Sequence, residues 1–431
     1  MSEIGDTTQN PKMARIQGFL TSRRGVLRDY FTAISGSAGR LVFSLAYFVA
    51  LANTLSIADF GLFATASAAG VMLSRILAFG FISALYRVAT VRPKLIGAFT
   101  GGFILLGLLS LPVLMLGGWL TFALFFAGDM TAWIFAAVVF AEALLWRPVE
   151  LAVIVNNGMA KFGRAAILVI MGTLLRAVAA LAFIFWPVHD LAAWSNFYIA
   201  ANAVSLVIAF AFFYPRQRLR FRPELYWRRL ADSIYVAGAE VLFYLQMEFD
   251  KLLVLSIGGP HLAGIYAIVM RLVDLTAIPI RTFTMMLVQK MMRAPEMLAR
   301  LGIKAMIESG VLIVSTLALA ALAVVLYFFP RALGGNVSEA APLVGLALLV
   351  PAFRNLVEYH AELLFARGQT LIRAVNLALL AGLKGILLWW ALTRLTDTAG
   401  MVLSLNLVFA ALYLASALLT YSMLKKPAKM F

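Results

Sequence analysis

An all-α polytopic membrane protein is the fold class this sequence predicts, and composition, span length and charge placement carry the prediction. Apolar residues make up 63% of the 431 positions and charged residues only 13%, a balance foreign to soluble domains. Runs long enough to cross about 30 Å of hydrocarbon recur along the chain. The basic residues behind a net charge of +16 fall mostly in short connections between those runs, where they set topology rather than bind nucleic acid. With no cysteine and only three histidines, disulfides, thiolate metal sites, thiol catalysis and a familiar zinc constellation are excluded. No cofactor is implied. The available chemistry is hydrogen bonding, charge and carboxylate protonation.

Twelve transmembrane helices are expected at approximately 30–55, 60–86, 96–126, 131–156, 163–186, 191–214, 233–257, 262–289, 303–329, 339–366, 370–393 and 399–424. Several exceed the roughly 20 residues a span needs, which implies tilt. The polar, basic first 29 residues lack the apolar core and cleavage site of a signal peptide.

Orientation follows from the connections. Of the 36 lysines and arginines, 25 fall on one side, Arg331 and Arg394 on the other, and nine inside spans. Both termini are therefore expected in the cytoplasm, with short external connections. The longest internal connection, 215–232, carries Arg216, Arg218, Arg220, Arg222, Arg228 and Arg229 with Tyr226 and Trp227. It divides the chain into a cytoplasmic basic segment 1–29, a six-helix bundle 30–214, the linker, a second bundle 233–424 and a tail 425–431. The linker, and the stretch Met13–Leu27 with its spaced apolar residues, can lie along anionic headgroups as well as fix topology.

A short repeat relates the two bundles. Phe60-Gly61-Leu62-Phe63-Ala64 is similar to Ala263-Gly264-Ile265-Tyr266-Ala267. Each follows a helix with a cation, Arg40 or Lys251, and opens a helix with another, Arg75 or Arg271. Six spans per half give both halves the same orientation, hence a pseudo-twofold axis along the membrane normal and a cleft between bundles. Gly97-Ala98-Phe99-Thr100-Gly101 reads as a packing signal.

Nine cations sit within spans: Arg40, Arg75, Arg147, Arg176, Lys251, Arg271, Arg281, Arg354 and Lys384. A cation at the bilayer centre costs about 2.5–3.5 kcal/mol on insertion scales, so these must pair with acids or line a wet cavity. Nine acids at membrane level, Glu142, Glu150, Glu240, Glu248, Asp250, Asp274, Glu308, Glu358 and Glu362, could neutralise them all. Helical spacing puts Ser37, Arg40, Ser44 and Tyr47 on one stripe, and Glu240, Tyr244, Glu248 and Lys251 on another. Glu248 and Lys251 are three apart and able to pair. Arg271, Asp274 and Arg281 share a face beside Pro279, and Arg354, Glu358 and Glu362 follow each other at intervals of four. Glu142, Arg147 and Glu150 suggest a structural pair plus one free acid. His360 reads as a packing residue ahead of a proton carrier, and His189 and His261 as solvated residues of external turns.

Phe249-Asp250-Lys251-Leu252-Leu253-Val254-Leu255, followed by Gly264-Ile265-Tyr266-Ala267 and Arg271-Leu272, resembles the seventh and eighth helices of bacterial Wzx-type polysaccharide flippases. Ala58-Asp59-Phe60-Gly61-Leu62-Phe63 resembles their first external turn. Those proteins belong to the multidrug, oligosaccharidyl-lipid and polysaccharide exporter (MOP) superfamily, whose twelve-helix members share this six-plus-six plan. The resemblance implies an inner-membrane protein, not an enzyme, that moves undecaprenyl-pyrophosphate-linked oligosaccharide across the membrane by alternating access, with polysaccharide polymerase and export machinery as partners. By matching position it assigns Arg40, Arg75, Lys251 and Arg271 to a cationic lining, with Arg281 and Arg354 next. Glu248, Asp274 and Glu358 become candidates for H+ or Na+ coupling. The alternatives are a cation-coupled multidrug exporter of the same superfamily and a membrane-embedded polysaccharide-assembly enzyme. The short external connections disfavour the enzyme.

Overall fold

The computed structural model describes residues 39–293, 301–395 and 397–424. The segment 1–29 and the tail 425–431 lie outside them. The described residues form helices and no strand. In chain order these are α1 (Gly39–Thr54), α2 (Ile57–Ser74), α3 (Ile82–Val91), α4 (Ile96–Phe125), α5 (Ala132–Phe140), α6 (Arg147–Gly158), α7 (Phe162–Ile184) and α8 (Leu191–Ile208). The second half holds α9 (Pro223–Arg293), α10 (Leu301–Phe328), α11 (Gly335–Val344), α12 (Val350–Ala366), α13 (Thr370–Arg394) and α14 (Thr398–Leu424).

Among the described residues eight helices are long and apolar enough to cross a membrane, and the α11–α12 pair, bent by 65°, makes a ninth. The remaining expected spans are present as helix too. α9 turns at Gly259 (φ 77°), where glycine tolerates the left-handed backbone and Pro260 withholds an N–H, so one helical run serves as two arms. α5 and α6 form one span whose Glu142, Arg147 and Glu150 lower its hydropathy. α1 is the described part of the first span. The fold class is thus all-α and polytopic, with two six-helix halves.

Breaks within spans have identifiable causes. The π turn Ala141–Trp146 joins α5 to α6 just before Pro148, whose missing N–H leaves a carbonyl one turn back without its usual donor. α2 stops at Arg75, and Ala78 and Phe79 have φ of 53° and 48°. That left-handed backbone costs about 1–3 kcal/mol per residue; Ser110 of α4 compensates by accepting the Ala78 N–H at 2.9 Å. Between α11 and α12, Asn406 of α14 accepts the Leu349 N–H at 2.9 Å and donates to the Leu346 carbonyl at 2.5 Å. Two polar side chains thereby satisfy backbone that lipid could not.

The repeat lies on the axis relating the halves. Gly61 of α2 and Gly264 of α9 are pressed together: a Cβ on Gly61 would stand 2.4 Å from the Gly264 nitrogen, and one on Gly264 would stand 2.0 Å from the Ile57 carbonyl oxygen. Equivalent residues that touch each other are the signature of a twofold contact. The seam continues through Asn336, which donates to the Ala52 and Leu55 carbonyls at 3.0 and 2.7 Å, and Asn53, which donates to the Leu333 carbonyl at 2.7 Å. This end of the molecule carries the connections expected outside.

At the other end, the linker is shorter than expected, because α9 begins at Pro223 rather than near 233. Residues 215–222 lie against α4, where Gly97 and Gly101 leave room for the Arg218 and Arg220 carbonyls. The glycine pattern of α4 therefore packs a chain segment rather than a partner helix. Tyr226, buried, donates to the Ala98 carbonyl at 2.7 Å, and Gln217 accepts the Gly97 N–H at 3.0 Å.

Candidate functional site

The intramembrane charges meet between α1, α2 and α6 of the first half and the two arms of α9. Arg75 caps the C-terminus of α2 and donates to both oxygens of Glu150, at 2.8 and 3.2 Å. Its guanidinium also lies 4.2 Å over the ring of Tyr244 on α9, a cation–π contact that joins the halves. Arg147, released toward the same point by the π turn, donates to Glu150 and to Glu240 of α9 at 2.8 Å each. Arg176 of α7 donates to Asn202 at 2.7 Å, reaches Glu142 at 3.5 Å, and stacks 4.3 Å from Trp146. Glu142 is not free: Ser67 donates to it at 2.7 Å and Tyr198 also donates.

In the second half, Lys251 pairs with Glu248, as their spacing allows. Asp250, the residue before Lys251, points about 100° away from it and meets Lys384 of α13 at 2.9 Å, both fully buried. Tyr266 donates to Asp250 at 2.6 Å. Asp274 lies 3.2 Å from Arg281 and 3.1 Å from Arg354, and Arg281 approaches Glu358 to 2.8 Å. The run Arg354, Glu358, Glu362 therefore does not pair along its own helix. Each member turns to another element, with Glu362 bonded to Arg373 at 3.0 Å.

The nine expected acids do not neutralise the nine cations. Glu362 is taken by Arg373, and Glu308 by His360 at 3.0 Å with Tyr413 and Tyr421. Seven acids remain for nine cations, and Arg75, Arg147, Arg176, Lys251, Arg281, Arg354 and Lys384 occupy them. Arg40 and Arg271 have no carboxylate partner among the described residues. They occupy one place: Arg271 donates to Ser44, one turn along α1 from Arg40, and its charge acts on Arg40 together with those of Arg176 and Glu150. Arg40 is exposed at the surface of α1. Two guanidiniums without a carboxylate partner, one from each half, leave this point with surplus positive charge.

Of the sequence candidates, Arg40 and Arg271 come together, and Lys251, Arg281, Arg354, Glu248, Asp274 and Glu358 form the network beside them. Arg75 belongs to another network, in which Glu150, Arg147 and Glu240 link α2 and α6 to α9. Sequence reasoning ranked Arg147 and Lys384 with no site role, yet they anchor Glu240 and Asp250. Their only advance signal was their depth within spans. No group of histidine and acidic side chains suited to a metal occurs among the described residues.

With that geometry in place, the likeness to known proteins concerns the whole architecture. The chain is similar to a multidrug resistance MATE family transporter of the MOP superfamily in its inward-facing conformation, with TM-score 0.59 and 15% identity over 90% of this chain and 96% of that one. It is similar to a MATE transporter in complex with MaD3S, at 0.62 and 11% over 93% and 95%, and to a mutant MATE transporter from Vibrio cholerae, at 0.55 and 14% over 94% and 98%. No family model and no curated protein matches the chain. The likenesses establish the fold: this is the twelve-helix architecture of the MATE transporters of the MOP superfamily.

Proposed function

We propose that this protein is a flippase that carries undecaprenyl-pyrophosphate-linked oligosaccharide across the bacterial inner membrane by alternating access, supplying surface or exported polysaccharide. The observation that carries the reading is the pair Arg40 and Arg271. A pyrophosphate offers spread negative charge and many acceptors, which planar guanidiniums meet with paired hydrogen bonds. An organic cation would be repelled by the same pair, which sets the flippase above the multidrug exporter suggested by the names of the structural neighbours. Bundles meeting at the Gly61–Gly264 contact can rock about it while the lipid tail stays in the bilayer. Arg75, Lys251, Arg281 and Arg354 would shape the cleft from within their ion pairs. A coupling H+ or Na+ at Glu248, Asp274 or Glu358 would have to displace a bound cation. Both termini would face the cytoplasm, with polymerase and export machinery as partners.

The test is movement of the lipid-linked oligosaccharide in reconstituted vesicles. Wild type should transport, and Arg40→Gln and Arg271→Gln should each slow transport at least about ten-fold, the loss of roughly 1.4 kcal/mol of interaction, while remaining folded. Wild-type vesicles that pass a cationic dye but no oligosaccharide would replace the flippase with the exporter.

A further inference from the structure

Away from the cleft, α10, α12 and α14 enclose a carboxylate held by no arginine or lysine. Glu308 of α10 faces His360 of α12, whose Nε2 lies 3.0 Å from Oε1, and it accepts hydrogen bonds from Tyr421 and, at 2.8 Å, from Tyr413 of α14. His360 is wholly buried and Glu308 is 14% exposed. The other histidine nitrogen, Nδ1, stands 3.2 Å from Ser416, which also receives Asn376 of α13 at 3.2 Å. The imidazole stacks on Tyr413 at 5.5 Å, and Tyr421 meets it edge-on at 5.4 Å. The remaining groups that face the cluster are Tyr359 on its own helix and Lys304, 5.3 Å from the Tyr421 ring. Arg367 acts in turn on Lys304.

Every other intramembrane acid of the described residues is clamped by arginine or lysine. Such a partner keeps its charge at neutral pH, so protonating the acid means breaking an ion pair. Among the nine acids expected at membrane level, Glu308 alone has a partner that can itself gain or lose a proton in that range; Glu339 also meets a histidine, His261 at 3.1 Å, but both side chains are exposed. We propose that Glu308 and His360 form a reversible proton-binding site, separate from the charged cleft, that takes up one proton at His360 Nδ1. In the deprotonated form Nε2–H donates to Glu308, Nδ1 accepts the Ser416 hydroxyl, and Glu308 leaves the cluster with one net negative charge. On uptake, Nδ1–H donates to Ser416, whose hydroxyl hydrogen rotates toward its own helix backbone. The pair becomes imidazolium and carboxylate with no net charge, every polar side-chain atom of Glu308 and His360 still has a partner, and α10 is drawn onto α12. The site does not depend on the cargo; only its use in driving transport rests on the transporter reading above.

The full-length protein in lipid nanodiscs, carrying 13C at histidine Cε1, tests this directly because the chain has only three histidines. His360→Gln assigns the signal by its loss. That signal should titrate within about pH 5 to 9, and Glu308→Gln should move its midpoint down by about one to three pH units. A His360 signal that does not change over that range, or an unaltered midpoint in Glu308→Gln, overturns the proposal. Should Glu308→Gln fail to fold, Tyr421→Phe serves instead. It removes a donor from the carboxylate, leaves more of its charge to the imidazolium and should raise the midpoint; no rise overturns the proposal equally. The titration is read without cargo, so failure of the flippase reading leaves it standing.

Discussion

The partners of each buried charge decide what its removal costs. Lys384 and Asp250 are 2.9 Å apart and about 2% and 1% exposed. Lys384→Met leaves a carboxylate in a dry helix contact, its remaining donors being Tyr266 and the Lys251 N–H. Breaking such a pair costs roughly 3–5 kcal/mol. We expect a clear fall in thermal midpoint in detergent for Lys384→Met, largely reversed by adding Asp250→Asn. A variant as stable as wild type would place water or another cation at Asp250. Arg271→Gln strands no acid and should keep its midpoint while losing transport, which separates the two kinds of intramembrane cation. The sequence exposed all nine cations, because a charge within an apolar run is conspicuous. It hid their partners, because the i to i+4 geometry that suggested Arg354 with Glu358 yielded to an acid from another helix, Asp274. Glu308 and Glu362 were likewise drawn off by His360 and Arg373, contacts made only once the helices pack.

At the level of elements, the seam around Gly61 and Gly264 is the contact most sensitive to one added side chain. A Cβ on Gly264 falls 2.0 Å from the Ile57 carbonyl oxygen, a backbone atom that cannot swing aside. Overpacking costs roughly 1–3 kcal/mol, enough to part α2 from α9. Asn53 and Asn336 report on this, since the Asn336 N–H lies 3.1 Å from the Asn53 amide oxygen across the seam and the chain has no cysteine of its own. Asn53→Cys with Asn336→Cys should cross-link rapidly under mild oxidation, and about ten-fold more slowly when Gly264→Val is added. Equal rates would mean that the seam does not depend on this glycine. The repeat that marks the two glycines was legible in the sequence, and so were the spans, because hydropathy is a local property. The breaks were less so. Those at Ala78 and at 345–349 are stabilised by Ser110 and Asn406 from distant helices, and nothing local distinguishes a helix that will be broken from one that will not.

Across the whole molecule, charge and symmetry together predict the orientation. Each lysine or arginine near an anionic cytoplasmic leaflet contributes about 1 kcal/mol, so 25 residues on one side against two on the other favour one insertion by a margin that errors of a few residues at span ends cannot reverse. On that orientation the seam at Asn53, Gly61, Gly264 and Asn336 would close the outer end, and Arg40 with Arg271, further along α1 and α9 from it, would face the inner side where a lipid-linked precursor would be made. Single cysteines test this in an otherwise thiol-free chain. Val188, half exposed between α7 and α8, belongs to an expected external connection, and Arg218, exposed beside α4, to the internal linker. Val188→Cys should react with a membrane-impermeant maleimide in intact cells, and Arg218→Cys only after permeabilisation. The reverse pattern would invert the protein in the membrane and turn the seal inward. The arginine pair would then open to the outer face, a geometry suited to uptake of an anion rather than to export of a lipid-linked chain.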